Sequence, residues 1–236
     1  MPLPEARTPT TLREMIIFLA AVDDEDDAVG VVLLMIGRQA GRELARCDAV
    51  SLTYAGDEGS TTLEADSELV RAIDEAQYPD ADGLCPRVVP DGQPVVKQFD
   101  ASMYWPGFRG QALGLGFRSV VAVPLFTADG EPVAVMDLWS RSLIALEPLG
   151  AALMALFDSY GASTARVAPA GLDPGEHQLI EGLGKALELR SVIDWAVAYL
   201  AHLHQVDPDE AFELLRAGAR SGGTDIAHTA RWLLAS

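Results

Sequence analysis

One long helical run, residues 176–205, constrains this chain most. It is followed at once by Val206-Asp207-Pro208-Asp209-Glu210-Ala211-Phe212. At 3.6-residue spacing, Leu179, Leu183, Leu187, Ile193, Ala196, Leu200 and Leu203 fall near one stripe, the pattern of an amphipathic helix. At about 1.5 Å per residue the run would reach roughly 40 Å, too long to fold wholly inside a small domain. It predicts a rod that joins a larger N-terminal unit to a small helical tip.

The remaining 170 or so residues are enough for a separate core, and 49% of the 236 residues are hydrophobic. Charge is lopsided, with 17 basic against 35 acidic residues and a net charge of −18. Such a surface repels phosphate backbones and anionic membranes, so a nucleic-acid role requires a local basic patch. The start, Met1-Pro2-Leu3-Pro4-Glu5, lacks the basic lead and apolar core of a signal peptide, and the apolar run 29–36 is too short to span a bilayer. Two cysteines, Cys47 and Cys85, make neither a disulfide framework nor a zinc spacing. A cytoplasmic protein is expected.

Along the chain, Thr11-Leu12-Arg13-Glu14 has capping-box spacing before a short helix. The acidic cluster Asp23-Asp24-Glu25-Asp26-Asp27 breaks that helix and suits the positive N-terminus of the next, residues 28–46. Consecutive acids lack the spacing and glycine turn of a calcium loop. The period then changes to two. Strands are expected at 49–54, 61–64, 94–99, 119–125 and 132–140, the last two joined by a hairpin at Ala128-Asp129-Gly130. Helices are expected after Asp66-Ser67 through Gln77, and over 149–166. This order lacks regular strand–helix alternation. It predicts an α+β unit with an antiparallel sheet, the first two and last helices on one face and long loops on the other.

Tyr78-Pro79-Asp80-Ala81-Asp82-Gly83-Leu84-Cys85, Gly92-Gln93-Pro94-Val95, Trp105-Pro106-Gly107-Phe108 and Gly116-Phe117-Arg118-Ser119-Val120-Val121-Ala122-Val123-Pro124-Leu125 together resemble the GAF domain. The form is that of the actinobacterial GAF domains joined to an ANTAR domain. The resemblance covers residues 8–166 and implies a sensor or dimerisation unit. Tyr78, Cys85, Phe99, Trp105, Phe108 and Trp139 are the residues expected to line a small-ligand pocket. The alternative is that these aromatics are core, since such rings bury large areas without a ligand. Some GAF relatives reduce free methionine sulfoxide with cysteines, but nothing in the sequence pairs Cys47 with Cys85. No nucleophile elbow or phosphate loop is present either. His202 and His204, two apart on a helix, point in different directions, so no metal and no cofactor is expected. An enzyme is not expected.

Beyond a Pro- and Gly-punctuated linker at 167–175, the residues Leu187-Glu188-Leu189-Arg190-Ser191-Val192-Ile193, Ala196, Leu200 and 206–216 resemble the ANTAR domain, a three-helix RNA-binding module, over residues 176–236. Asp207 reads as N-cap, Pro208 as first helical residue and Glu210 as the third-position acid. The resemblance implies a homodimer through the long helix, its Leu183 and Leu187 facing a second copy. It also implies binding to paired RNA hairpins in leader transcripts. Candidate RNA-contacting residues are Lys185, Arg190, Trp195, Tyr199, Arg216, Arg220 and Arg231. The family's usual Gly-Gln-Ala-Lys-Gly is here Asp194-Trp195-Ala196-Val197-Ala198, so Val197 stands where the lysine would be.

Two functions stay open on these residues. One is an RNA-binding transcription antitermination regulator with a GAF sensory domain. The other is a divergent relative that has lost RNA binding and acts as a dimeric protein-interaction or ligand-sensing module.

Overall fold

The computed structural model describes residues 9–56, 59–75, 92–99, 106–158 and 171–235. Its elements in chain order are α1 (Leu12–Leu19), α2 (Ala28–Glu43), β1 (Ala49–Gly56), β2 (Gly59–Ala65), α3 (Glu68–Glu75) and β3 (Val95–Gln98). There follow α4 (Pro106–Gly114), β4 (Ser119–Phe126), β5 (Pro132–Ser140), α5 (Glu147–Asp158), α6 (Pro174–His204), α7 (Pro208–Gly222) and α8 (Ile226–Ala235).

The period-two segments form one five-stranded antiparallel sheet in the order β2-β1-β5-β4-β3. Alternation sends Val50, Leu52, Val121, Val123, Met136 and Leu138 to one face, where α1, α2 and α5 cover them, with α6 packed on those helices. Ala49, Val120, Ala122, Val135 and Trp139 go to the other face. Both faces of β4 and β5 are buried along their whole length, which is why these strands read as nearly unbroken apolar runs. The second face carries the helices α3 and α4, through Val70, Ile73 and Ala112, where loops alone were expected. The β4–β5 turn is the predicted one, with Gly130 at φ +85.

The long helix begins two residues earlier than its apolar stripe suggests. Asp173 caps it, Pro174 opens it, and the Glu176 side chain returns to the Asp173 backbone N–H at 2.8 Å, a reciprocal capping box. Glu176 is fully buried and reaches Arg46 at 3.4 Å. Burial, helped by the Asp173 carboxylate, raises its pKa above the ordinary range, against the opposing pull of Arg46. Gly175 is obligatory here for space: a Cβ at this position would lie 2.2 Å from the Glu43 carbonyl oxygen at the end of α2.

The stripe on α6 is buried as expected from Leu179 to Leu200, whereas Leu203, in the last turn, is 57% exposed. The destination of the stripe differs from expectation. Leu183 and Leu187, expected to face a second copy, are buried within the chain's own core. The first half of α6 lies along α1 so closely that a Cβ on Gly182 would be 3.1 Å from the Arg13 Cα. α6 packs on α1 and α2 within the same apolar cluster and forms a further layer over them. The rod is therefore a structural member of the body along its first half. Its second half packs on α7 and α8 through Ile193, Ala196 and Leu200.

The last two helices start and stop where capping chemistry places them. Asp207 accepts the Glu210 backbone N–H at 2.9 Å, and α7 ends at Gly223 with φ 63. Asp225 precedes α8 and accepts the His228 backbone N–H at 2.6 Å. Thr224 exchanges a hydroxyl bond with Thr229 at 2.9 Å.

Candidate nucleic-acid interface

Arginines at positions 216 and 220 are one helical turn apart and share a face of α7. That face meets the acidic segment between α1 and α2. Arg216 Nε is 3.2 Å from Asp23, its Nη2 donates to Asp24 Oδ1 at 2.7 Å, and its Nη1 reaches Glu25 at 3.4 Å and Glu213 at 3.1 Å. Its guanidinium also lies over the Phe212 ring at 5.2 Å. Only 8% of Arg216 is exposed. Arg220 Nη2 donates to Glu25 at 2.8 Å and to Asp23 at 3.2 Å, with more than half of its side chain in solvent. The Glu25 bond, more than the charge of Asp23, raises the Arg220 pKa further.

The acidic segment is held in shape by its own turns. The Glu25 N–H donates to Asp23 Oδ1 at 3.2 Å and the Ala28 N–H to Asp26 Oδ1 at 2.8 Å, so Asp26 serves the start of α2 as expected. Asp23, Asp24 and Glu25 do something else: they point at α7. A backbone bond from Ala128 to the Val22 carbonyl, 2.9 Å, ties the segment to the β4–β5 hairpin. There Asp129 adds its repulsion. Desolvation foremost, then the bond with Asp23 and the Asp129 charge, raise the Asp24 pKa, while Arg216 opposes them.

Beside Arg216 a cavity of about 740 Å³ opens between the hairpin and the α6–α7 corner. Asp129, Glu131, Asp194, Asp207 and Glu210 line it together with Val197. Val197, where the resemblance implied a lysine, thus lines an acid-rich cleft.

The other candidate RNA contacts are dispersed. Lys185 pairs with Glu188 at 2.6 Å. Arg190 lies 5.3 Å over the Phe126 ring with its Nε buried, and packs within 3.0 Å of where a Cβ on Gly130 would be. It links α6 to the hairpin. Trp195 and Tyr199, one turn apart on α6, are 72% and 48% exposed. Arg231 is exposed at the rim of a second cavity, about 430 Å³, with Glu14, Phe18 and Asp225. The structure therefore brings Arg216 and Arg220 together and leaves Lys185, Arg190 and Arg231 apart from them.

Of the expected pocket residues, Tyr78, Cys85 and Trp105 lie outside the described residues, and Phe108 falls within α4. Phe99 and Trp139 are buried and stack at 6.3 Å, with Phe117 against Trp139 at 5.5 Å. Below them is a residue that sequence reasoning missed. Asp74 of α3, fully buried, accepts hydroxyl bonds from Ser51 at 3.3 Å, Thr62 at 2.8 Å and Thr53. Ser51 in turn accepts the Trp139 indole N–H at 3.1 Å. An acid on the inward side of a short amphipathic helix was the available signal, because such an acid needs donors.

Cys47 is a free, partly buried thiol. Desolvation, followed by the charges of Glu176 and Asp173, pushes its thiol well above the ordinary range. Among the described residues no group of three or more His, Cys, Asp or Glu could hold a metal ion, and no helix is long and apolar enough to cross a membrane.

A family model for the GAF domain matches residues 32–166, and one for the ANTAR domain matches residues 181–234. Similar solved structures include the GAF domain region of a Geobacter sulfurreducens PCA protein, 10% identical, which covers 70% of this chain and 93% of that one with a TM-score of 0.42. Another is the GAF domain of a two-component sensor histidine kinase from Bacillus halodurans, 14% identical, covering 49% and 82%, TM-score 0.36. A third is reduced fRMsr of Staphylococcus aureus, 14% identical, covering 78% and 96%, TM-score 0.43. No curated protein matches the sequence. With the GAF model spanning more than half of its 236 residues and the ANTAR model most of α6–α8, this chain belongs to the GAF domain family and carries an ANTAR domain, the architecture of the GAF–ANTAR regulators.

Proposed function

We propose that this protein is an RNA-binding transcription antitermination regulator, its GAF unit acting as the sensor and α7 of its ANTAR unit supplying the phosphate-binding cations. One observation carries the reading: Arg216 and Arg220 form a paired guanidinium face that already grips a row of three closely spaced anions. A row of backbone phosphates presents the same chemistry, and two arginine forks suit it. RNA hairpins in leader transcripts are the proposed partner, and the exposed Trp195 and Tyr199 offer faces for unpaired bases.

The acid-lined cleft at Asp194 and Val197 favours a second reading, in which RNA binding is lost and the chain acts as a dimeric protein-interaction or ligand-sensing module. A mobility-shift titration with an RNA of two tandem hairpins, run at several salt concentrations, separates the two. The RNA reading predicts weak binding by the wild-type chain that declines linearly in log–log coordinates. Arg220→Ala should lower the slope by about 0.7 to 0.9, the share of one phosphate contact. If neither the wild-type chain nor its Asp23→Asn/Asp24→Asn/Glu25→Gln variant gives a salt-dependent shift even at low salt and tens of micromolar protein, the second reading stands.

A further inference from the structure

We infer that the Asp23-Asp24-Glu25 segment is an intramolecular phosphate mimic that occupies Arg216 and Arg220 and so holds the ANTAR unit closed to RNA. This rests on the RNA reading above and adds the regulation of the same surface.

The contact crosses between units. The acids belong to the connection between α1 and α2, beneath the sheet, whereas the arginines belong to the second helix of the matched ANTAR region. Every nitrogen of the Arg216 fork lies within 3.4 Å of a carboxylate, three of the four carboxylates coming from this segment. Nη2 is hydrogen-bonded to Asp24 and Nε is buried without a hydrogen-bond partner, so a phosphate is kept out by the surrounding carboxylates and the closed approach, not by a shortage of donors. Arg220 shares two of the same acids, so one movement of the segment would release both cations.

The closed form is held by opposing forces. Three consecutive acids, with Asp129 nearby, repel one another, and the desolvation of Asp24 adds to that cost. The arginines offset both. A structure balanced in this way responds to small displacements, because moving the carboxylates outward relieves repulsion as it loses ion pairing. The moving part is the segment and not the helices. α6 is fixed to the body by Leu179, Leu183 and Leu187, and α7 to α6 and α8 by Ala211, Leu215 and Ala219. The Ala128-to-Val22 backbone bond joins the segment to the sheet's central hairpin, through which a change in the GAF unit reaches it.

The test compares RNA affinity of the full chain with that of isosteric variants, using the same two-hairpin RNA. Asp23→Asn/Asp24→Asn/Glu25→Gln should bind at least tenfold more tightly than wild type at low salt, and adding Arg216→Lys/Arg220→Ala should remove the gain. Glu25→Gln alone, which touches the more exposed end of the network, should give a smaller gain in the same direction and serves where the triple variant does not fold. A purely structural ion network predicts a lower melting temperature with unchanged or weaker RNA binding, and that result overturns the proposal. Equal binding by wild type and variants, lost on removing the arginines, overturns the mimic and leaves the RNA reading standing. Absence of binding by every chain overturns both.

Discussion

Replacing Gly175 by alanine should cost about 3 kcal/mol or more of stability, the largest effect expected of a methyl group added at any of the described glycines. The new Cβ would stand 2.2 Å from the Glu43 carbonyl oxygen and 2.6 Å from its carbon, both backbone atoms at the end of α2. Neither can move without displacing that helix. The alternative is to lift the first turn of α6, which breaks the capping box of Asp173 and Glu176 and exposes Glu176 with its Arg46 partner. Helix propensity acts the other way, since alanine is about 1 kcal/mol better than glycine inside a helix. The steric term exceeds it because the obstacle is backbone. For a chain of this size the loss corresponds to a fall in Tm of roughly 6–12 °C. A thermal melt of Gly175→Ala within 2 °C of wild type would show that the α2–α6 junction is looser than the geometry described here.

The second large effect is expected at Asp74. Asp74→Ala removes the acceptor shared by the Ser51, Thr53 and Thr62 hydroxyls and leaves a void under α3. Each buried hydroxyl that cannot re-pair costs about 1–3 kcal/mol, and hydroxyls rotate, so some will find new partners. A net loss of about 3 kcal/mol follows. Asp74→Asn keeps one acceptor oxygen and should lose about half as much. Denaturant unfolding gives both values as shifts in midpoint. Because Ser51 also accepts the Trp139 indole N–H, the disturbance extends to the aromatic stack with Phe99 and Phe117. A loss below about 1 kcal/mol for Asp74→Ala would mean that the hydroxyls need no carboxylate to be satisfied.

These two residues mark the border of what could be read in advance. Caps, turns and periodicity are local, and local chemistry was legible: Thr11 with Glu14, the Asp129-Gly130 hairpin, Asp207 before Pro208, and the alternation of β1, β4 and β5. The α+β class and antiparallel sheet followed from the order of such elements. Asp74 was not legible, because its donors come from two strands whose register is known only once β1 and β2 are paired. The pairing of Arg216 with Asp23 and Asp24 was not legible for the same reason at greater range. Nothing local distinguishes an acidic cluster that caps a helix from one that also grips arginines 192 residues away. Leu183 and Leu187 show the third kind of difficulty. Their stripe was evident, but a stripe shows only that a face must be covered and not by what.

The helix α6 has a consequence for cooperativity. One contiguous apolar cluster includes Leu12 and Ile16 of α1, Leu33 and Ile36 of α2, and Leu149 and Leu153 of α5. The same cluster continues along α6 into Leu215 of α7 and Ile226 and Ala230 of α8. The boundary drawn by sequence comparison near residue 170 therefore has no thermodynamic counterpart, and calorimetry of the whole chain should trace a single heat-absorption peak. A fragment cut at that boundary would strip one side of an apolar interface from each half. The GAF and ANTAR units, sharing that cluster, are expected to melt as one.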